Sequence, residues 1–89
     1  MKFILIHTWE PHERNEIAKR RMENGCMAPK GIKIVSEWLD TQGARQIVLF
    51  ETDSAKECFK WSINWGDLGK YDCFPVVEVK DDKATEISE

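Results

Sequence analysis

No apolar run in this chain of 89 residues approaches the roughly 18 that a membrane-crossing helix needs, so no membrane span is expected. The stretch from Met1 to Trp9 turns into a strand-like pattern too early for a secretory leader. Cysteine is scarce and odd in number: Cys26, Cys58 and Cys73 stand at unrelated spacings with no C-x-x-C pair. That speaks against a disulfide framework and leaves zinc or dithiol chemistry without support, so a reducing cytoplasm is the expected setting. Positive charge is also short, with Lys+Arg 13 against Asp+Glu 16 and a net charge of −3. Such a balance suits a phosphate backbone poorly, and no nucleic-acid partner is expected. The run Lys19-Arg20-Arg21 is too brief to alter this and reads as a solvated helix face. There is no Gly-rich phosphate loop and no G-x-S-x-G elbow.

What is present is ordinary globular material, 42% hydrophobic and 33% charged, which excludes a disordered chain. Size scaling for 10.4 kDa has folding bury roughly two thirds of the unfolded surface, enough for one two-layer core. Lys2 to Trp9 is rich in β-formers and is closed by Glu10-Pro11, with the proline suited to a helix's first turn. Glu13 to Asn24 is helical in period, with Ile17, Ala18, Arg21 and Met22 on one face and Gly25 as the stop. Ile32 to Leu39 and Gln46 to Glu51 read as strands joined by the turn Asp40-Thr41-Gln42-Gly43. Ser54 with Glu57 has capping-box spacing ahead of a second helix. That helix carries Ala55, Cys58, Phe59, Ser62 and Ile63 on one face, flanked by Trp61 and Trp65. Cys73 to Val79 is the last strand.

The order β-α-β-β-α-β is the split βαβ, ferredoxin-like unit: an α+β fold with a four-stranded antiparallel sheet in order 4-1-3-2 and two helices on one face. Pro75, without a ladder donor, agrees with an edge position for the last strand. The single domain is expected over 1–80, with an acidic, fraying tail over 81–89. Alternation sends Ile4, Ile6 and Thr8 to one face of the sheet and Phe3, Leu5, His7 and Trp9 to the other, both largely apolar. Two helices cover only one face, so a second copy of the chain is the expected cover for the other, giving a homodimer. An exposed, moderately apolar sheet on a monomer is the bland alternative.

Four tryptophans are a high load for this length. Trp61 and Trp65, one helical turn apart, are candidates for the wall of a small-molecule pocket, with Trp9 and Phe50 as further ligand contacts. Each also fits a core or interface role. His7, near the end of the first strand, is the candidate catalytic base or ligand-orienting group. A packed, hydrogen-bonded histidine is the plainer reading, and His12 reads as solvated. No third ligand completes a metal site around the two, and no metal or cofactor is expected. Cys58 fits inert packing, whereas Cys26, in a loop, is the cysteine with reactive potential.

Gly31-Ile32-Lys33 with Trp38, Asp40 and Gly43, then Glu51-Thr52-Asp53, Trp61-x-x-x-Trp65-x-Asp67-Leu68 and Phe74-Pro75-Val76-Val77, resembles domain of unknown function 3303. That family sits in the dimeric α/β-barrel superfamily, and the resemblance runs from Phe3 to Val79. It implies a dimeric barrel but no activity, because the family has none established. The wider superfamily includes cofactor-independent monooxygenases, haem-degrading monooxygenases and isomerases. Its haem-degrading members use a histidine on the second helix, where this chain has none. Three functions therefore stand side by side. The first is a cytoplasmic homodimer binding a small apolar or aromatic molecule. The second is a cofactor-independent monooxygenase or isomerase-like enzyme with His7 as base. The third is a dimerisation or partner-binding module without a ligand.

Overall fold

β-Branched and aromatic side chains at alternate positions hold Lys2–Thr8 as the first strand, β1. A 3-10 turn, Pro11–Glu13, follows, in which the Glu10 backbone N–H donates to Glu13 Oε1 at 2.9 Å. It leads into helix α1, Arg14–Asn24. Gly25 ends α1 at φ 70°, its N–H closing on the Arg21 carbonyl at 2.8 Å. Strands β2, Lys33–Leu39, and β3, Arg45–Glu51, flank a turn in which Asp40 Oδ1 accepts from the Gln42 N–H. Ser54 then caps helix α2, Ala55–Trp65, by accepting from the Lys56 N–H, while Glu57 pairs with Lys60 rather than completing a capping box. β4 runs Lys70–Val76, and the short strands β5, Glu78–Val79, and β6, Ile87–Ser88, pair with each other. The computed structural model describes residues 1–79 and 87–88, so most of the acidic tail lies outside the described residues.

The sheet order is β2-β3-β1-β4 with every neighbour antiparallel, which is the expected 4-1-3-2 read from the other edge. Phe3, Leu5 and His7 are the side of β1 that turns to the helices, with Trp9 just beyond the strand following them inward, a choice the sequence leaves open. With Val48 and Phe50 from β3 they meet Ile17 of α1 and Trp61 and Trp65 of α2 in one core. Full burial of an aliphatic or aromatic side chain is worth about 1.5–3 kcal/mol, so this cluster is the main source of stability. The opposite face has Ile4 and Ile6 of β1 beside Ile47 and Leu49 of β3, none of them fully buried. Trp38, opposite Ile47, and Phe74, opposite Ile4, extend that row and are 52% and 37% exposed.

Two details depart from the sequence reading. β4 begins at Lys70, three residues before the expected Cys73, because Gly69 at φ 81° folds the chain against the end of β1 and pairing starts at once with Thr8. The polar alternation Lys70-Tyr71-Asp72 is that of an edge strand with one open face, and it hides the strand from a search for apolar runs. In α2 the face toward the sheet runs through Cys58, Trp61 and Trp65, leaving Phe59 and Ile63 69% and 64% exposed. The two indoles offer more apolar area than any other pair on the helix, and they set its rotation.

At Gly69 a Cβ would run into the Thr8 carbonyl oxygen and lie 3.1 Å from the Trp9 Cβ. At Gly43, φ 68°, it would meet only the flexible Arg14 side chain. Gly69→Ala is therefore expected to cost more than about 2 kcal/mol and Gly43→Ala about 1 kcal/mol. Urea-denaturation midpoints of the two variants compare them; equal losses would show that the Thr8 contact relaxes freely.

Candidate functional site

Helix α1 reads Arg-Asn-Glu-Ile-Ala-Lys-Arg-Arg-Met-Glu-Asn, and Ile17 is its one buried residue. So little apolar area cannot seal the helix along the whole sheet. A cleft of about 580 Å³ remains between α1 and the β2–β3 half of the sheet. Ile17, Ala18 and Met22 of α1 line it on one side, with Trp9, Trp38, Leu39 and Trp65 as the other apolar residues. Polar groups enter from Arg14 and Arg21 on the helix and from Glu37 and Gln46 on the sheet. Glu37 accepts from Arg21 Nη1 at 2.5 Å and from the Gln46 side-chain amide. The Arg21 guanidinium holds the Glu37 carboxyl below its ordinary range, so it stays ionised. Trp9 is fixed in the wall by its indole N–H, which donates to the Gly43 carbonyl at 2.7 Å.

Trp65 is the junction between this cleft and the core. Its indole N–H donates to the Cys26 carbonyl at 2.9 Å, and the Trp61 indole N–H donates to the same oxygen at 2.8 Å. The Arg20 guanidinium lies 5.7 Å from the Trp65 ring centroid and forms two parallel bonds to the Asp67 carboxylate at 2.7 and 2.8 Å. That fork holds the Asp67 carboxyl down to about 2.

His7 is 1% exposed and boxed by rings, with centroids 5.2 Å from Trp9, 5.8 Å from Trp65 and 5.1 Å from Tyr71. Its Nε2 lies 2.5 Å from the Leu68 carbonyl oxygen, which can only accept, so Nε2 carries the proton of the neutral ring. Burial lowers its pKa, opposed by the Leu68 carbonyl and by the Glu13 carboxylate and reinforced by Arg20. Glu13 braces the same corner, its Oε2 accepting from the Gly69 N–H at 2.8 Å.

Of the residues singled out from the sequence, Trp9 and Trp65 line the cleft. His7 sits directly behind them, within ring contact of both. Trp61 and Phe50 stack edge to face at 5.3 Å, 2% and 0% exposed, in the core beneath α2. His12 is exposed on the 3-10 turn. Cys58 and Cys73, far apart in sequence, lie side by side between α2 and β4, and burial pushes the Cys73 thiol up to about 12. Cys26 is half-buried, its carbonyl engaged by the two indoles. Among the described residues no group of three His, Cys, Asp or Glu side chains is placed to hold a metal ion, and no helix is long and apolar enough to cross a membrane.

The sequence reading passed over Arg14, Glu37, Leu39 and Gln46. The available signal was polarity on the inward face: Glu37 within β2 and Gln46 at the start of β3 share the face of Val48 and Phe50. The α1 face of Ile17, Ala18, Arg21 and Met22, by contrast, is the face that meets the cleft.

Topology and cleft together define a ferredoxin-like α+β domain with an aromatic-walled recess under its first helix. The chain belongs to the family described as Domain of unknown function (DUF3303), whose model matches residues 1–87. No curated protein matches it.

The unfolded chain takes up a proton at His7 near its ordinary value of 6.5, while the folded chain resists it. The stability that neutral His7 confers is thus complete above that pH and is lost as the pH falls below it, by up to about 1.4 kcal/mol per unit. Urea midpoints should fall between pH 7 and pH 5 in the wild type, and His7→Gln, which keeps a donor for Leu68, should flatten that slope. An unchanged slope in the variant would assign the titration to another group.

Proposed function

We propose that the protein binds a small apolar or aromatic molecule in the cleft between α1 and the sheet, and that it does so as a homodimer. The observation that carries the reading is the recess of about 580 Å³ walled by Trp9, Trp65, Ile17 and Leu39. Its volume falls within the roughly 300–1,000 Å³ of small-molecule sites, and mostly apolar walls with a few placed polar groups are their usual make-up. The monooxygenase or isomerase reading uses His7 as the base, and His7 lies behind the tryptophan wall with its Nε2 proton committed to Leu68. Binding is accordingly the primary reading.

The homodimer rests on the open sheet face, where Ile4, Ile6, Ile47 and Leu49 are flanked by exposed Trp38 and Phe74. A contiguous apolar face on a small domain invites a self-complementary partner. Two such faces packed together would make a dimeric α/β barrel, the superfamily that the resemblance implies.

The neutral fluorophore N-phenyl-1-naphthylamine tests the cleft. It should bind saturably, one per chain, and quench tryptophan emission. Ala18→Trp, at an exposed helix position that lines the recess, should abolish binding without lowering the melting temperature. Saturable binding that survives this filling would place the site elsewhere.

Light scattering on a sizing column tests the assembly. Wild type should elute with the mass of two chains, and the Trp38→Arg/Phe74→Arg double variant with that of one. A monomeric wild type would remove the dimer.

A further inference from the structure

We propose that the occupant of the cleft is an acid, an aromatic or apolar ring system bearing one carboxylate that pairs with Arg14; this rests on the binding function proposed above. The cleft holds three charged groups, Arg14, Arg21 and Glu37. Arg21 and Glu37 satisfy each other across the floor, and Gln46 adds a further donor to the carboxylate. That pair is therefore neutral as a unit, and Glu37 keeps its charge because Arg21 lowers its pKa.

The Arg14 guanidinium makes no hydrogen bond or ion pair among the described residues, while its backbone N–H is engaged by the Pro11 carbonyl. Its side chain lies across Gly43, with Nη1 3.3 Å from where a Cβ would stand. The Gly43 carbonyl is also the acceptor that fixes the Trp9 indole. One turn thus brings an unspent guanidinium and an aromatic wall to the same end of the recess. A guanidinium presents parallel N–H donors that match a carboxylate's two oxygens, and a flat apolar body beside it would lie along Trp9, Ile17 and Leu39. A phosphate dianion would call for a second free cation, and Arg21 is already engaged by Glu37. The charge left over is +1, which suits a monoanion.

The test compares naphthalene-2-carboxylate with its neutral isostere naphthalene-2-carboxamide by isothermal titration calorimetry on the full chain. The carboxylate should bind roughly three- to tenfold more tightly, a modest preference because Arg14 is exposed to solvent. Added salt should narrow the gap, since a solvent-exposed ion pair is screened. Arg14→Gln should bring the carboxylate-over-amide preference down to about one and leave the melting temperature unmoved. Arg14→Lys should restore part of the preference. Equal binding of the two probes to wild type would overturn the acid while leaving the cleft in place. A preference that survives Arg14→Gln would overturn the role of Arg14. Binding of neither probe would overturn both the acid and the binding reading beneath it.

Discussion

One carbonyl oxygen, that of Cys26, ties the layers of this domain together. Burying an indole is favourable for its rings and unfavourable for its N–H unless an acceptor is supplied. Trp61 and Trp65 solve this jointly by donating to the same oxygen, which has two lone pairs to offer. The loop after α1 is thereby held under α2, and the Asn64 amide donating to the Met27 carbonyl at 3.0 Å strengthens the same seam. With the loop fixed, α2 can press its indoles onto Phe50 and His7, and β1 and β3 acquire their cover. Losing either indole leaves the oxygen with one donor; losing both leaves a buried acceptor with none, so the two tryptophans are energetically coupled.

One of the segments that carry the family resemblance, Trp61-x-x-x-Trp65-x-Asp67-Leu68, has a structural task at every named position. The indoles hold Cys26, Asp67 holds Arg20, and the Leu68 carbonyl holds His7. All three partners lie more than thirty residues away in sequence, and only the folded chain pairs them. The four main strands, both helices and the sheet order were legible, because alternation, turn residues and the Pro75 edge signal all point the same way. Which face of β1 turns inward was not, since Ile4 and Ile6 are as apolar as Phe3 and Leu5. The aromatic residues of β1, β3 and α2 decide it once they meet.

The cleft was legible in half-measure for a related reason. Aromatic density drew the eye to Trp61 and Trp65, but an indole on the inward stripe of a helix sees the core first, and only Trp65 also reaches the recess. The recess itself arises from a deficit. α1 is mostly charged, carries Met22 87% exposed, and stands off the sheet because it has too little apolar area to close the gap. A deficit leaves no motif behind. It becomes visible when the helix is weighed against the strands it has to cover, and the polar intruders Glu37 and Gln46 on those strands are its counterpart.

The two rims of the sheet differ from its open face in one respect. On β2 the register slips between Ile34 and Ser36, so the ladder is broken by a bulge at Val35. On β4 the ring of Pro75 removes a donor from the opposite rim. A further strand laid against either rim would find an interrupted row of partners. Growth by adding strands sideways, the route to open-ended fibrils, is discouraged at both ends. The sheet is thereby kept to its own four strands.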